Sequence, residues 1–168
     1  MTDIDRMQQE LVRYFTGEKN ESLLFMAVGL VCIGASVWLF TTASEYRGMI
    51  APLTLIALIQ LAVGGGVYFR TDAQIATLTT QLRTDAAALR DQELTRMAKV
   101  AANFKIYKTI EIALLAIGIA MTYAFRERHG LYAAGVGSII QSSIMLTLDL
   151  FAERRADAYI EHLRVLLG

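Results

Sequence analysis

Apolar and polar positions in this chain fall into blocks. Four stretches, residues 22–42, 49–69, 106–125 and 131–151, are apolar and nearly free of charge. Each is about 20 residues long, the length at which a helix crosses a hydrocarbon core of about 30 Å. The clearest is 49–69, MIAPLTLIALIQLAVGGGVYF, which holds no charged residue. Only short turns, 43–48 and 126–130, separate the members of each pair, so each pair must be antiparallel. The pattern predicts an all-α polytopic membrane protein with four transmembrane helices in two hairpins. Pro52 falls in the first turn of the second span, where a missing amide proton costs little.

The polar blocks also have helical periodicity. In residues 1–20, Ile4, Met7, Leu11 and Phe15 recur at three- and four-residue steps among charges. Gly17 is expected to end this short helix, and Asn20 or Ser22 to cap the first span. Residues 71–105 lack Gly and Pro and are rich in helix formers. They carry two stripes, Ile75, Leu78, Leu82, Ala86 and Leu89, then Leu94, Met97, Ala101 and Phe104. Because this block must leave a membrane and return, it reads as two helices with a turn between residues 84 and 92. The repeated tetrapeptide RTDA, at 70–73 and 83–86, offers a Thr or Asp cap at each site. The tail, 152–168, is amphipathic again, with Tyr159, Ile160, Leu163, Leu166 and Leu167 on one face. These segments together predict an amphipathic helical layer beside the spans.

Charge sets the orientation. Of the 16 Lys and Arg residues, only Arg47, Arg126 and Arg128 lie in the two short turns. By the positive-inside rule both termini and residues 71–105 face the cytoplasm. No cleavable signal peptide is expected, because the first apolar stretch is full length and follows a charged leader. The net charge of +0 gives no basic face for nucleic acid. The single cysteine, Cys32, rules out an intrachain disulfide and a thiolate metal site. No cofactor or metal is expected.

Polar residues inside the spans are the candidates for function. Glu111 lies about one turn inside the third span and Asp149 about one turn from the end of the fourth. Gln60 and Gln141 lie near the middle of the second and fourth. Just outside is an interfacial charge cluster of Glu21, Glu153, Arg70, Lys105, Lys108, Arg154 and Arg155. Besides a partner-binding surface, two readings stay open. The carboxylates pair with snorkelling Lys and Arg while the glutamines bond across helices; or Glu111 and Asp149 hold a cation or proton at the inner mouth of a pathway. Gly64, Gly65 and Gly66 make a thin piece of helix suited to a close helix crossing. The stripe Ile75, Leu78, Leu82 and Leu89 is a candidate docking face for a partner helix. Catalytic motifs are lacking: His129 and His162 belong to opposite sides of the membrane, and no nucleophile–base or phosphate-cradling pattern occurs. A non-enzymatic protein is expected. Weak internal similarity, with Glu21 set against Glu111 and Gln60 against Gln141, suggests a duplicated hairpin in parallel orientation.

At YFTGEKNES (14–22), NFKIYKTIEIALL (103–115) and QSSIMLTLDLFAERRADAYIEHL (141–163) the chain resembles small four-span bacterial inner-membrane proteins of unknown function. Proteins of that kind tend to accompany secreted toxins. The resemblance therefore implies a partner-binding, immunity-type factor that neutralises a toxin at the membrane, and it transfers no site residues. The alternatives from the residues are a small proton or cation channel or carrier, and a structural subunit of a membrane complex. A homodimer is a further expectation from the glycine-rich span.

Overall fold

A computed structural model describes residues 2–42 and 45–168. Four long helices account for nearly all of them: α1 (Asp3–Thr41), α2 (Ile50–Thr84), α3 (Ala86–Ala124) and α4 (His129–Leu166), with a 3-10 turn, Glu45–Met49, before α2. No strand occurs among the described residues. Of the expected turn 43–48, residues 43 and 44 lie outside the description.

The helices are longer than the spans within them. At 39 residues α1 extends about 58 Å, nearly twice a hydrocarbon core. The expectation of separate amphipathic helices is therefore corrected: each apolar stretch continues without a break into its polar neighbour. Gly17 does not end α1. A Cβ at this position would lie 2.6 Å from Arg155 Cδ, so the glycine lets an α4 side chain cross α1 closely. Packing along both partners outweighs its propensity cost of about 1 kcal/mol. Asn20 and Ser22 are likewise interior to the helix. The start is instead capped by Thr2, which accepts from Asp5 N at 3.2 Å while Asp5 Oδ2 accepts from Thr2 N at 3.0 Å. In the block 71–105 the turn falls at one residue, Asp85. Its side chain accepts from Ala88 N at 2.9 Å and its amide donates to Gln81 O at 2.8 Å, so it closes α2 and opens α3. Of the two RTDA repeats only the second supplies a cap; the first lies within α2.

The helices alternate in direction. At one end Lys19 meets Asp72, Lys108 meets Glu153, and Arg90 reaches the Leu167 carbonyl. At the other end Gly48 abuts the Gly130 carbonyl so closely that Gly48 could not carry a side chain toward it, and Gly137 packs on Pro52 and Met49. The bundle thus has a charged half, containing both termini and the Asp85 turn, and a turn half, containing the two short connections.

The halves are built oppositely. In the charged half Met7, Leu11, Phe15, Leu82, Leu89, Met97, Tyr159 and Leu163 form a closed core from all four helices. In the turn half large apolar side chains face outward on every helix, among them Val31 and Trp38, Leu55 and Val63, Ile117 and Ile119, and Ile140 and Leu150. Its interior holds small and polar residues instead, with a minor apolar cluster of Cys32, Leu39, Leu53 and Ala57. By length and composition α1, the 3-10 turn with α2, and α4 can each cross a membrane.

Candidate functional site

Three of the polar residues singled out in the spans turn fully into the bundle. Gln60 and Gln141 are 0% exposed and Glu111 is 2% exposed, while Asp149 is half-buried. Their contacts are few. Gln141 Nε2 donates to the Leu53 carbonyl of α2 at 3.5 Å, and Gln141 lies beside Cys32 of α1. Both polar atoms of Gln60 and the Ser142 hydroxyl are buried without a hydrogen-bond partner, and the carboxyl oxygens of Glu111 are buried with no donor besides the Asp149 carboxyl group. Such groups are uncommon in a folded interior, because each loses its hydration without replacement.

Helix register explains which of them meet. α3 and α4 run antiparallel, crossing closely where Gly118 and Gly135 face each other: a Cβ on either would lie 2.9 or 2.8 Å from the other's carbonyl oxygen. Nearer the charged half, Glu111, about two turns from Gly118 on α3, and Asp149, about four turns from Gly135 on α4, interact across the same interface. One turn further, Lys108 Nζ donates to Glu153 Oε2 at 2.5 Å. Lys108 and Glu111 are three residues apart on α3, and Asp149 and Glu153 four apart on α4, so the two rungs stack on one face of each helix. Gln60 turns inward from α2. Because Gln141 contacts Leu53, two turns from Gln60, the two glutamines sit at different depths. The suggested duplication is therefore not an exact one.

Around the rungs runs a ring of interhelical ion pairs. Arg155 of α4 donates to Glu21 of α1, and Lys19 of α1 donates to Asp72 of α2 at 2.7 and 2.6 Å. Of the expected charge cluster, Glu21, Glu153, Lys108 and Arg155 are paired in this ring, while Arg70, Lys105 and Arg154 are exposed on the outer surface. Lys19 and Asp72 complete the ring and were not expected in it; their signal, a lysine and an aspartate at matching depth on paired helices, appears only once the hairpin register is known.

The glycine triplet divides. Gly64 is a packing position, where a Cβ would lie 2.7 Å from Met26 Cγ and 2.9 Å from the Ser22 carbonyl. Gly65 has ordinary contacts and Gly66 faces open space. Gly29, a small-residue position of the first span, is a packing position too, as are Gly118, Gly135 and Gly137, which the triplet overshadowed in the sequence. The expected docking stripe is corrected as well. Leu82 and Leu89 are fully buried, and Ile75 and Leu78 pack against the same core, so the chain itself covers it.

A second buried charge lies in the charged half. Glu93 accepts two hydrogen bonds from Arg96, each 2.8 Å, and one from the Tyr159 hydroxyl at 3.1 Å. Tyr159 stacks on Tyr14 with ring centroids 4.4 Å apart, and the Arg96 guanidinium lies 5.2 Å from the centre of the Phe15 ring. Burial, then the neighbouring Glu93 carboxylate, push the Tyr159 hydroxyl well above its ordinary value. Burial and Glu18 do the same to Tyr14. Burial alone would pull Arg96 down, but the Glu93 carboxylate holds it above its usual range. The sequence does carry a signal for Glu93, since Leu89, Glu93 and Met97 are four apart and share one face.

Among the described residues no group of three His, Cys, Asp or Glu is arranged to hold a metal ion. His129 and His162 lie on one helix, about 50 Å apart along its axis. Compared with protein-family models, curated proteins and solved structures, the chain finds no match.

Proposed function

We propose that the chain is a four-span membrane protein whose charged half lies in the cytoplasm, and that it takes up a proton or small cation between Glu111 and Asp149 as a small channel or carrier. The four-span reading is supported by the apolar belt on the outside of all four helices, α3 included. It is supported too by direction: α2 ends and α4 begins at opposite ends of the bundle, so α3 must run the bundle's full length between them. The cytoplasmic reading follows the excess of Lys and Arg in the charged half.

The observation that carries the functional reading is Glu111. Both of its carboxyl oxygens are buried without an ion-pair partner, and the group that meets it across the interface is another carboxyl group. Two carboxyl groups facing each other in a dry interior need a positive charge, a proton or a cation, between them. A purely structural carboxylate would instead be matched to Lys or Arg, as Glu21, Glu153 and Glu93 all are. The immunity-type role implied by resemblance needs an exposed docking face. The stripe expected to serve is inside the chain's own core, so the geometry favours the carboxyl site.

The test is flux in proteoliposomes containing the purified full chain. Glu111→Gln and Asp149→Asn should each abolish proton or monovalent-cation movement while leaving the helical spectrum and elution volume unchanged. Wild-type flux in both variants would remove the reading.

A further inference from the structure

We infer that the occupant of the Glu111–Asp149 pair is a proton rather than a metal cation, and that Glu153, held by Lys108, is the relay that delivers it from the charged half. The inference rests on the carboxyl-site reading and specifies its ligand. Three observations carry it.

The first is donor supply. A bound metal cation replaces its hydration shell with several oxygen ligands. At this depth α3 and α4 offer two carboxyl groups, and among the described residues no three His, Cys, Asp or Glu are arranged to hold a metal ion. The second is the neighbouring charge. The Lys108 ammonium lies one turn from Glu111 on the same face of α3 and acts on both members of the pair. A fixed positive charge so placed opposes a second full positive charge, whereas a proton shared by two carboxyl oxygens leaves a single negative charge for Lys108 to balance. The third is continuity. Glu153 follows Asp149 by one turn of α4, is less deeply buried than Glu111, and is tied to Lys108 at 2.5 Å. On the α1 side the Glu21 carboxylate, paired with Arg155, flanks the same level; α2 contributes only uncharged Gln60. From the pair toward the turn half the described interior holds no further carboxylate, His, Lys or Arg; its polar groups are Ser142, Gln141, Ser36 and the Cys32 thiol, beside the apolar cluster at Leu39 and Leu53.

The transfer is simple to balance. A hydronium ion at the surface gives its proton to the Glu153 carboxylate, and that proton then passes to an oxygen of the Asp149–Glu111 pair. Only O–H bonds form and break, and Glu153 returns to its carboxylate form beside Lys108.

The experiment uses the full chain in liposomes loaded with a pH-sensitive dye, with parallel sodium- and potassium-sensitive dyes. An acid jump should produce a dye response that needs Glu111, and gradients of sodium or potassium should produce none. Glu153→Gln should slow the acid response severalfold and displace its pH profile, and Glu153→Asp should restore both. If Glu153→Gln fails to fold, Lys108→Gln, which frees the same carboxylate, decides the relay by displacing the pH profile. Glu111-dependent movement of sodium or potassium would overturn the proton assignment while leaving the carboxyl site standing. A wild-type rate and pH profile in Glu153→Gln, or in Lys108→Gln where that variant decides, would overturn the relay. Flux of every ion independent of Glu111 would remove the underlying reading as well.

Discussion

Along each helix the rule for what belongs inside changes sign partway. In the charged half the interior is Phe15, Met7, Leu11, Leu82, Leu89, Met97 and Leu163, and charges other than the buried Glu93 face outward. In the turn half Val31, Trp38, Leu55, Ile117 and Ile140 face outward, and glycines, serines and amides face in. One continuous helix cannot change its backbone to suit two solvents; only its side chains change. In water, burying large apolar groups drives association. In lipid that drive is absent, and close backbone approach takes over. The Gly118–Gly135 and Gly29–Ala57 contacts are close backbone approaches of the kind such an interface uses. Between the halves lies the ion-pair ring of Lys19, Asp72, Arg155, Glu21, Lys108 and Glu153; on the proposed four-span reading it marks where the solvent changes.

The two interiors should therefore fail to different substitutions. The largest effects fall in the charged half. Phe15→Ala should cost about 3–5 kcal/mol, since its ring is fully buried among residues of the other helices. Arg96→Ala should cost a similar amount, about 3–5 kcal/mol, because it leaves Glu93 buried and unneutralised. Unfolding titrations in mild detergent measure both. Replacing Tyr159 with Phe removes the single hydrogen bond it donates to Glu93 and should cost only about 0.5–1.5 kcal/mol.

In the turn half the sensitive positions are small ones. Gly64→Leu should destabilise the α1–α2 pair by about 1–3 kcal/mol through overpacking on Met26 and the Ser22 carbonyl. Gly66→Leu, two residues on, should be tolerated because that side faces open space. Equal gain in both would mean that helix propensity, not close approach, governs this stretch.

A smaller effect concerns pH. Tyr14 and Tyr159 have hydroxyls raised above the ordinary tyrosine value of 10.0 by burial and by nearby carboxylates. The folded state thus holds these protons more tightly than the unfolded chain. The stability involved is fully present below pH 10.0 and is lost as pH rises beyond it. Melting temperatures should fall above that pH. Ultraviolet titration should show these two tyrosines ionising only with unfolding. The smallest effect is expected at the ring's exposed pair: Asp72→Asn should leave stability unchanged, because water already screens Lys19.

The inversion is also why the sequence is legible in parts. A run of about 20 uncharged residues suits few structures besides a membrane span, so the apolar stretches can be read directly. A charge within such a run stands out, so Glu111 and Asp149 can be singled out, as can Gln60 and Gln141. Helix continuity cannot be read the same way. Gly17 looks like a stop until Arg155, far along the chain on α4, is seen to cross it. Glu93 and Arg96 look like an ordinary surface pair three residues apart, and their burial depends on Tyr159 and Tyr14 from other helices. The stripe at Ile75, Leu78, Leu82 and Leu89 shows its apolar face plainly, but what covers it, a partner or the chain itself, is a tertiary fact.

If the inversion has its proposed cause, lipid surrounds the turn half on all four helices, α3 included. Spin labels placed at Ile112 and Ile117 of α3, in a Cys32→Ala background reconstituted in bilayers, test this most directly. High collision rates with oxygen and low rates with a water-soluble nickel complex are expected at both sites, matching labels at Val31 and Leu58. Nickel access at Ile117 equal to that at exposed Asp91 of the charged half would place α3 in water and contradict the four-span bundle.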